Sequence, residues 1–373
     1  MRVALLGTRG IPANYGGFET FAEQLSTRLV KRGHQVTVYC RANNIQIEKS
    51  TYKGVQLKIL PTISHKYFDT IAHTFLSTLH VLSHHLRHDG YDVLLYCNGA
   101  NAIFSFLPRL IGIPTVLNVD GIERKRKKWG AVARVWYKLS ERLSTFLPTE
   151  LITDATVIQR YYEERYATTS HLIAYGADTS QVTSRKVLDR LNLEPGKYFL
   201  YVSRMEPENN PLLVVKAFEL TGINKKLVMV GDAPYAANYI QEVKRTSDRR
   251  ILFTGSLYGT SYDELQSHCK VYIHATEVGG THPALIEAMG RGVSMLFLNT
   301  PENFEVAGNI GWAFPNNLQA LAQLIEQIDA LPQVEHKKMS RLAVQRVRER
   351  YNWERVVNAY ENLFQQTTVS KPF

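Results

Sequence analysis

Short apolar runs alternate with helical patterns along the first half of the chain. Residues 3–7 form an apolar run that ends in glycine, and residues 18–32 carry apolar side chains at helical spacing. Further strand-like runs cover residues 35–40, 55–60, 93–97, 115–119, 151–153 and 171–173. The repetition of strand, helix and strand with short loops predicts an α/β unit with a doubly wound parallel sheet.

The same pattern starts again in the second half. Residues 178–195 are polar and predict a connection, with a short helix at 185–191. Strands are predicted at 198–203, 226–231, 251–254, 271–275 and 293–298, with helices between them, one of these at 211–220. We therefore expect two Rossmann-like domains with parallel sheets facing a shared cleft, where ligands bind at the carboxyl ends of the strands.

Composition agrees with a two-domain globular protein. A chain of 373 residues is too long for one ordinary hydrophobic core and fits two domains. Its content of 45% hydrophobic and 21% charged residues is typical of globular proteins. Three cysteines far apart in sequence, Cys40, Cys97 and Cys269, favour a reducing compartment over a disulfide framework. We find neither the pattern of a secretory signal nor an uninterrupted apolar span, so we expect a cytoplasmic location.

The net charge of +10 is concentrated in one part of the chain. Residues 1–150 contain 20 Lys and Arg against 10 Asp and Glu, whereas the two kinds balance in residues 151–373. A one-sided positive surface suits a polyanion, such as nucleic acid, anionic lipid or a phosphorylated substrate.

Two glycine-rich segments each follow a predicted strand. Residues 7–19 contain Gly7, Gly10, Gly16 and Gly17, more glycines than a turn needs, which favours close approach of a ligand over a plain turn. They do not match G-x-G-x-x-G, and Arg41 stands where a dinucleotide site would have an acid.

The second segment, residues 277–290, reads EVGGTHPALIEAMG and opens a helix with Pro283 in its first turn. Backbone amides near Gly280 would face a diphosphate, and Glu287, one turn further on, could accept hydrogen bonds from ribose hydroxyls. A plain helix start with a surface glutamate is the alternative.

Five segments in order and spacing resemble the family-4 glycosyltransferases of GT-B fold, in particular the bacterial polysaccharide subgroup that includes rhamnosyltransferases. They are GTRGIPA with YGGFET at residues 7–20, NVDGIE at 118–123, SRMEPENN at 203–210, residues 277–289, and YNWE at 351–354. The resemblance implies transfer of rhamnose or another hexose, with retention, from a nucleotide-diphosphate sugar to a lipid-linked or saccharide acceptor in cell-surface polysaccharide synthesis. Residues 1–177 would bind the acceptor, residues 178–351 the nucleotide sugar, and a C-terminal helix at 352–373 would pack back on the first domain.

The resemblance also implies site residues. Those expected to bind the donor are Gly16, Gly17, Arg204, Asn209, Gly255, Gly279, Gly280, Thr281, His282 and Glu287. Those expected to take part in catalysis are Asp120, Arg204 and Glu277.

Three positions depart from the wider family pattern. Gly279 stands where the first of two glutamates is usual, and Glu277, two residues earlier, is the candidate replacement. Asn209 stands in place of a lysine on the diphosphate, and Asp120 in place of a histidine near the acceptor. Two other functions stay open. One is an inactive module that binds membrane or polyanion on the same scaffold, supported only by Gly279 and Asn209, and the other is a nucleotide-sugar epimerase.

We expect neither a metal nor a cofactor. No Asp-x-Asp element occurs, and Arg204 with helix amides would neutralise the diphosphate. His73, His80, His84 and His88 share one face of a predicted helix. We interpret them as its polar face, with the leucines packing inward, rather than as a metal site. These leucines are Leu76, Leu79, Leu82 and Leu86.

A basic segment follows the fifth predicted strand. It comprises Arg124, Lys125, Arg126, Lys127, Lys128 and Trp129. Apolar positions continue at helical spacing through Val132, Val135 and Leu139. Basic charge beside tryptophan predicts contact with a lipid-linked acceptor or an anionic membrane, hence a peripheral location on its inner face. The competing interpretations are an ordinary amphipathic helix with a solvated basic side and, least favoured, nucleic-acid binding.

Overall fold

The computed structural model describes residues 1–45, 49–87, 90–233 and 236–369. These residues form two compact units. The first comprises residues 1–175 and a C-terminal helix, and the second comprises residues 176–352. Each unit is an α/β domain built on its own sheet.

An eight-stranded sheet forms the centre of the first unit. Its strands are β1 (Arg2–Leu6), β2 (Gln35–Arg41), β3 (Thr51–Tyr52), β4 (Val55–Leu60), β5 (Val93–Cys97), β6 (Thr115–Asn118), β7 (Glu150–Thr153) and β8 (His171–Leu172). They are ordered β3-β4-β2-β1-β5-β6-β7-β8, and all pairs are parallel except β3 with β4. Lys53 and Gly54 join this antiparallel pair, both with positive φ, as a two-residue hairpin requires.

Helices flank this sheet in the first unit. They are α1 (Gly17–Lys31), α2 (Asp69–Arg87), α3 (Phe106–Leu110), α4 (Ala131–Leu143) and α5 (Thr156–Tyr166), with 3₁₀ helices at Gly99–Ser105 and Glu123–Lys125. The prediction for α1 is confirmed to within a residue at each end. Gly33 follows its end at φ +86°, a backbone conformation that glycine adopts without strain.

The leucine prediction for α2 is wrong. Its buried face carries His73, Thr74, Ser77 and Thr78, whereas Leu76, Leu79 and Leu86 are exposed and Leu82 is half-buried. His88 lies outside the described residues.

Polar groups on the sheet explain why α2 is turned this way. His73 donates from Nε2 to the Cys40 carbonyl at 3.0 Å, and the Thr78 hydroxyl lies 2.9 Å from that of Tyr96. Burial lowers the pKa of His73 to about 4, so this imidazole is neutral at physiological pH and fits the interior.

A six-stranded parallel sheet forms the centre of the second unit. Its strands are β9 (Tyr198–Val202), β10 (Lys226–Val230), β11 (Ile251–Gly255), β12 (Val271–His274), β13 (Ser294–Leu298) and β14 (Trp312–Phe314), in the order β11-β10-β9-β12-β13-β14. Its helices are α6 (Lys186–Arg190), α7 (Pro211–Glu219), α8 (Ala237–Val243), α9 (Thr260–His268), α10 (Pro283–Gly290), α11 (Pro301–Ala307), α12 (Leu318–Ala330) and α13 (Gln333–Arg350), with a 3₁₀ helix at Pro207–Asn209. The order reverses beside β9, so loops after β9 and β12 lie at the switch point where such sheets bind ligands.

The last helix, α14 (Trp353–Val369), belongs to the first unit. Tyr360 is fully buried there, and its hydroxyl accepts a hydrogen bond from Asn118 Nδ2 at the end of β6 at 2.8 Å. Arg32, just after α1, pairs with Glu361 at 2.6 Å. No helix in the described ranges has the length and apolarity needed to cross a membrane.

Candidate functional site

The loop between β12 and α10 is the best-formed part of the candidate site. It follows a buried strand of the second unit, and Pro283 opens the helix at its first position. Gly279, Gly280, Thr281 and His282 are all buried. The first amides of a helix have no partner within the helix, so this end attracts an anion.

Asn303 fixes the proton of His282. The Asn303 amide nitrogen donates to the carbonyls of Thr276 at 3.1 Å and Leu298 at 2.9 Å. Its oxygen is therefore the atom that faces His282 Nδ1 at 2.6 Å, and Nδ1 must carry the hydrogen. In the neutral imidazole, Nε2 is then left with a lone pair.

Gly279 owes its identity to this imidazole. A Cβ at residue 279 would overlap the His282 ring, which supplies its three nearest atoms. The ring also lies 4.8 Å from that of His274, whose pKa burial holds well below its usual value. A glutamate at position 279, the usual residue in the family pattern, is thus incompatible with His282 as placed here.

Glu277 connects this loop to the loop after β9. Its Oε1 accepts hydrogen bonds from Asn316 at 2.8 Å and Asn210 at 3.1 Å, and its backbone amide donates to the Glu208 carbonyl at 2.9 Å. Hydrogen bonds therefore hold the loop at residues 207–210 against the loop at residues 275–282.

Glu287 lies one turn into α10 and is half-buried. Tyr262 donates to its Oε2 at 2.6 Å, and Gln266 in turn donates to the Tyr262 hydroxyl at 2.7 Å. Burial raises the pKa of Glu287 to about 6, against the opposing effect of the Tyr262 hydrogen bond. The carboxylate is thus mostly ionised at neutral pH and able to accept hydrogen bonds from hydroxyl groups.

Arg204 follows β9 and is partly exposed, 3.7 Å from Glu206. Asn209 is buried and donates from Nδ2 to the Arg204 carbonyl at 2.7 Å. This amide carries no charge and holds the backbone of Arg204, so we expect it to act through Arg204. Gly255, at the end of β11, has φ +72°, which accounts for glycine there.

Sequence reasoning missed Glu208, Tyr262 and Asn303. Glu208 is fully buried, and neither carboxylate oxygen has a hydrogen-bond partner among the described residues. Tyr262 and Asn303 are brought to the site from α9 and α11, and their spacing along the chain gives no signal. Glu208 could have been noticed, because it lies within the SRMEPENN segment, between Arg204 and Asn209.

Asp120 and the glycine loop after β1 belong to the first unit. Asp120 has φ +57°, a strained value for a residue other than glycine, and its amide donates to the Asn118 side chain at 3.0 Å. Gly16 and Gly17 lie at the start of α1. A Cβ on Gly16 would meet only Glu19, at an ordinary 3.5 Å, so the fold does not require glycine there.

The basic segment is partly engaged within the first unit. Arg124 donates to buried Glu141 at 3.1 Å and to the Tyr161 hydroxyl at 2.7 Å. Arg126 is buried against Glu123 at 2.6 Å, and Trp129 donates to the same carboxylate at 3.3 Å. Lys125 and Lys127 are exposed, whereas Lys128 is half-buried.

The described residues contain no group of three or more His, Cys, Asp or Glu side chains placed to hold a metal ion. The predicted site residues thus fall into two sets. The second unit holds Arg204, Asn209, Gly255, Glu277, the 279–282 loop and Glu287, and the first unit holds Gly16, Gly17, Asp120 and the basic segment.

Comparison with known families agrees with this division of the chain. Residues 1–178 match a domain of unknown function, DUF1972. Residues 186–345, which include the 277–290 loop and helix, match the family described as glycosyl transferases group 1. The chain carries a group 1 glycosyltransferase domain. The protein is therefore a glycosyltransferase.

Solved structures share the fold of this group 1 glycosyltransferase. Sucrose-phosphate synthase from Thermosynechococcus elongatus has a TM-score of 0.82 at 17% identity, covering 99% of both chains. HepE of Anabaena in complex with UDP-glucose has a TM-score of 0.78 at 15% identity, covering 97% of this chain and 99% of that one. WaaG, a glycosyltransferase involved in lipopolysaccharide biosynthesis, has a TM-score of 0.69 at 16% identity and covers 96% and 99%.

These likenesses establish the GT-B type of two α/β domains with parallel sheets. The search of curated proteins finds no match.

Proposed function

We propose that this glycosyltransferase moves rhamnose or another hexose from a nucleotide-diphosphate sugar to a lipid-linked or saccharide acceptor during cell-surface polysaccharide synthesis. The observation that carries the proposal is the loop from β12 into α10, with its buried glycines and Glu287 one turn inside the helix. The complex of HepE with UDP-glucose supports a nucleotide-sugar donor, and the involvement of WaaG in lipopolysaccharide biosynthesis supports a role in surface polysaccharide synthesis.

In the second unit, each part of the donor has a group suited to it. The partly exposed guanidinium of Arg204 and the first amides of α10 suit the diphosphate. Glu287, ionised and oriented by Tyr262, suits vicinal ribose hydroxyls. Glu277, held by Asn210 and Asn316, would take the place of the family glutamate near the transferred sugar.

In the first unit, Asp120 is the candidate for contact with the acceptor hydroxyl or the transferred sugar. Its left-handed backbone is held by Asn118, and such strain is kept where a side chain must be aimed. Transfer would proceed with retention and without a metal, since cationic and amide groups neutralise the departing diphosphate. Gly16 and Gly17 would allow close approach of a ligand to the start of α1.

We place the reaction at the cytoplasmic face of the membrane, with the protein bound peripherally. The basic segment supports this through Lys125 and Lys127, whose side chains are exposed. No nucleic acid is expected as a partner.

A screen of UDP-, GDP- and dTDP-linked sugars by thermal shift, followed by transfer assays, tests the proposal. A donor at a hundred times its dissociation constant should stabilise the fold by about 2.7 kcal/mol. Donors that bind should then be consumed only with an acceptor present. Conversion of the donor sugar without an acceptor would indicate an epimerase, and binding without turnover an inactive module.

A further inference from the structure

Helix α4 exposes three large apolar side chains and buries its only acid. Val132, Val135 and Leu139 are 87%, 68% and 47% exposed and lie at spacings of three and four residues, so they form one stripe. The buried side carries Ser140 and Glu141. Glu141 accepts hydrogen bonds from Arg124, Tyr161 and Tyr166, which explains why the polar side faces inward.

Three neighbouring elements also expose large apolar side chains. Helix α2 buries His73 and Thr78 and exposes Leu76 and Leu79. Helix α3 and the 3₁₀ helix before it expose Ile103, Phe106 and Leu110.

These elements cover one side of the sheet. The crossovers from β4 to β5, β5 to β6 and β6 to β7 all run in the same direction across the strand order, so right-handed connections place them in one layer. Within it, the rings of Phe75 and Phe104 lie 6.1 Å apart, joining α2 to the 3₁₀ helix. Arg109 of α3 donates to the Leu147 carbonyl at 2.7 Å, just beyond α4. We call the exposed apolar positions of α2, α3 and α4 the apolar face.

Positive charge accompanies the apolar face. Arg134, Lys138 and Arg142 are exposed at four-residue spacing on α4, beside the apolar stripe. The one acid of this helix, Glu141, is buried. An exposed apolar area of this extent marks an interaction site, and basic residues among apolar ones match a bilayer with anionic headgroups.

We propose that the apolar face docks the first unit on an anionic lipid bilayer, with side chains of α4 entering the boundary between headgroups and acyl chains. The inference rests on the proposed function and extends its membrane contact from the basic segment across the exposed side of α4 to α3 and α2. A second copy of the chain fits less well. Pairing of this face with itself about a two-fold axis would bring Arg134, Lys138 and Arg142 of both copies together without exposed acids on that helix to balance them.

Vesicle sedimentation tests the proposal with the full chain. The parent protein should bind vesicles of phosphatidylcholine mixed with phosphatidylglycerol, and bind phosphatidylcholine alone much less. Val132→Ser, Val135→Ser and Leu139→Ser together should lower binding at least tenfold and abolish the part that survives high salt, because burial of these side chains is the apolar contribution. Arg134→Gln, Lys138→Gln and Arg142→Gln together should lower it on the order of a hundredfold and remove most of its salt dependence.

Helix α13 of the second unit offers matched controls. Val334 and Leu342 are exposed apolar residues there, and Lys337, Lys338 and Arg341 are exposed basic ones. Substituting either set by serine or glutamine should leave vesicle binding unchanged. Because all substituted positions are exposed, thermal unfolding should confirm that every variant folds.

Equal binding by the parent and the α4 serine variant would overturn the proposal. So would a parent dimer in light scattering that this variant converts to a monomer, since the face would then join two copies. Vesicle binding needs neither donor nor acceptor. A parent that binds vesicles but fails every transfer assay would therefore contradict the proposed function alone.

Discussion

The ionisation of Glu287 connects donor binding to pH. Its pKa is raised to about 6, so the carboxylate loses its charge as the pH falls through that value, and with it the stronger acceptor for ribose hydroxyls. We expect kcat/KM for the donor to fall below pH 6. In Glu287→Gln this dependence should disappear and the value at pH 8 should drop by about tenfold, from the loss of a charged hydrogen bond. Initial rates at subsaturating donor across pH 5 to 8 measure both effects.

The same raised pKa predicts a difference in stability. Folding favours the protonated form of Glu287. The stability that this form contributes is fully present below the pKa of the unfolded chain, near 4.5, and is lost as the pH rises through the pKa of the folded protein, about 6. We therefore compare the denaturant midpoints of Glu287→Gln and the parent at two pH values. The midpoint of the variant should gain on that of the parent when the pH is raised from 4.5 to 8. A constant difference across that range would contradict the shift.

Gly279 and His282 should show energetic coupling. Gly279→Ala forces its Cβ into the His282 ring, which Asn303 holds in place, and should lower the free energy of unfolding by about 1–3 kcal/mol. In a His282→Ala background the same change should cost much less, so a double-mutant cycle by urea denaturation gives the coupling. Gly222→Ala is the matched control, since its Cβ would meet only Glu326 at 3.8 Å. If the free-energy costs of Gly279→Ala and His282→Ala simply add in the double variant, the two residues are not coupled and the ring moves aside.

At the scale of elements, α14 is fixed to the first unit by a buried hydrogen bond. Tyr360→Phe removes the acceptor for Asn118 Nδ2 and leaves that amide unpaired in the interior. We expect a loss of about 1–3 kcal/mol in the free energy of unfolding, measured by chemical denaturation. Tyr67→Phe, at an exposed tyrosine, should change it by less than about 0.5 kcal/mol. A similar small change for Tyr360→Phe would mean that water replaces the lost partner.

The sequence predicted every strand except β3 and β14, because the apolar spacing that marks a strand is local. It did not predict which face of α2 would be buried. Leu76 and Leu79 have the periodicity of a core stripe, but the sheet beneath offers Tyr96 and the Cys40 carbonyl, which select Thr78 and His73 instead. That choice depends on residues far away in the chain.

The candidate site was also predictable only where it depends on residues that are close together in the chain. The glycine loop and Glu287 follow from the position of residues 277–290 between a strand and a helix. The proton on His282 Nδ1 does not, because it depends on Asn303, 21 residues further on, and on two carbonyls that orient its amide. The roles of Arg204, Asp120 and the other site residues stay predictions.

At the scale of the whole molecule, we expect transfer to be independent of divalent metal. This expectation rests on the sequence, which contains no Asp-x-Asp element, and on Arg204 and the α10 amides, which offer positive potential for the diphosphate. Activity should be unchanged after treatment with EDTA, measured by donor consumption with acceptor present. Loss of activity that magnesium or manganese restores would contradict this mechanism.

The first sheet ends on both sides in strands of only two residues, β3 and β8. An edge strand exposes unpaired backbone groups, which another chain can extend into a larger sheet. Here the tight hairpin at Lys53 and Gly54 folds β3 back on β4, with which it pairs at two positions. At the other edge, β8 pairs with β7 at two positions as well. Each outermost strand therefore offers another chain only two residues of backbone, and edge strands this short disfavour edge-to-edge aggregation of a protein that exposes apolar side chains on its helices.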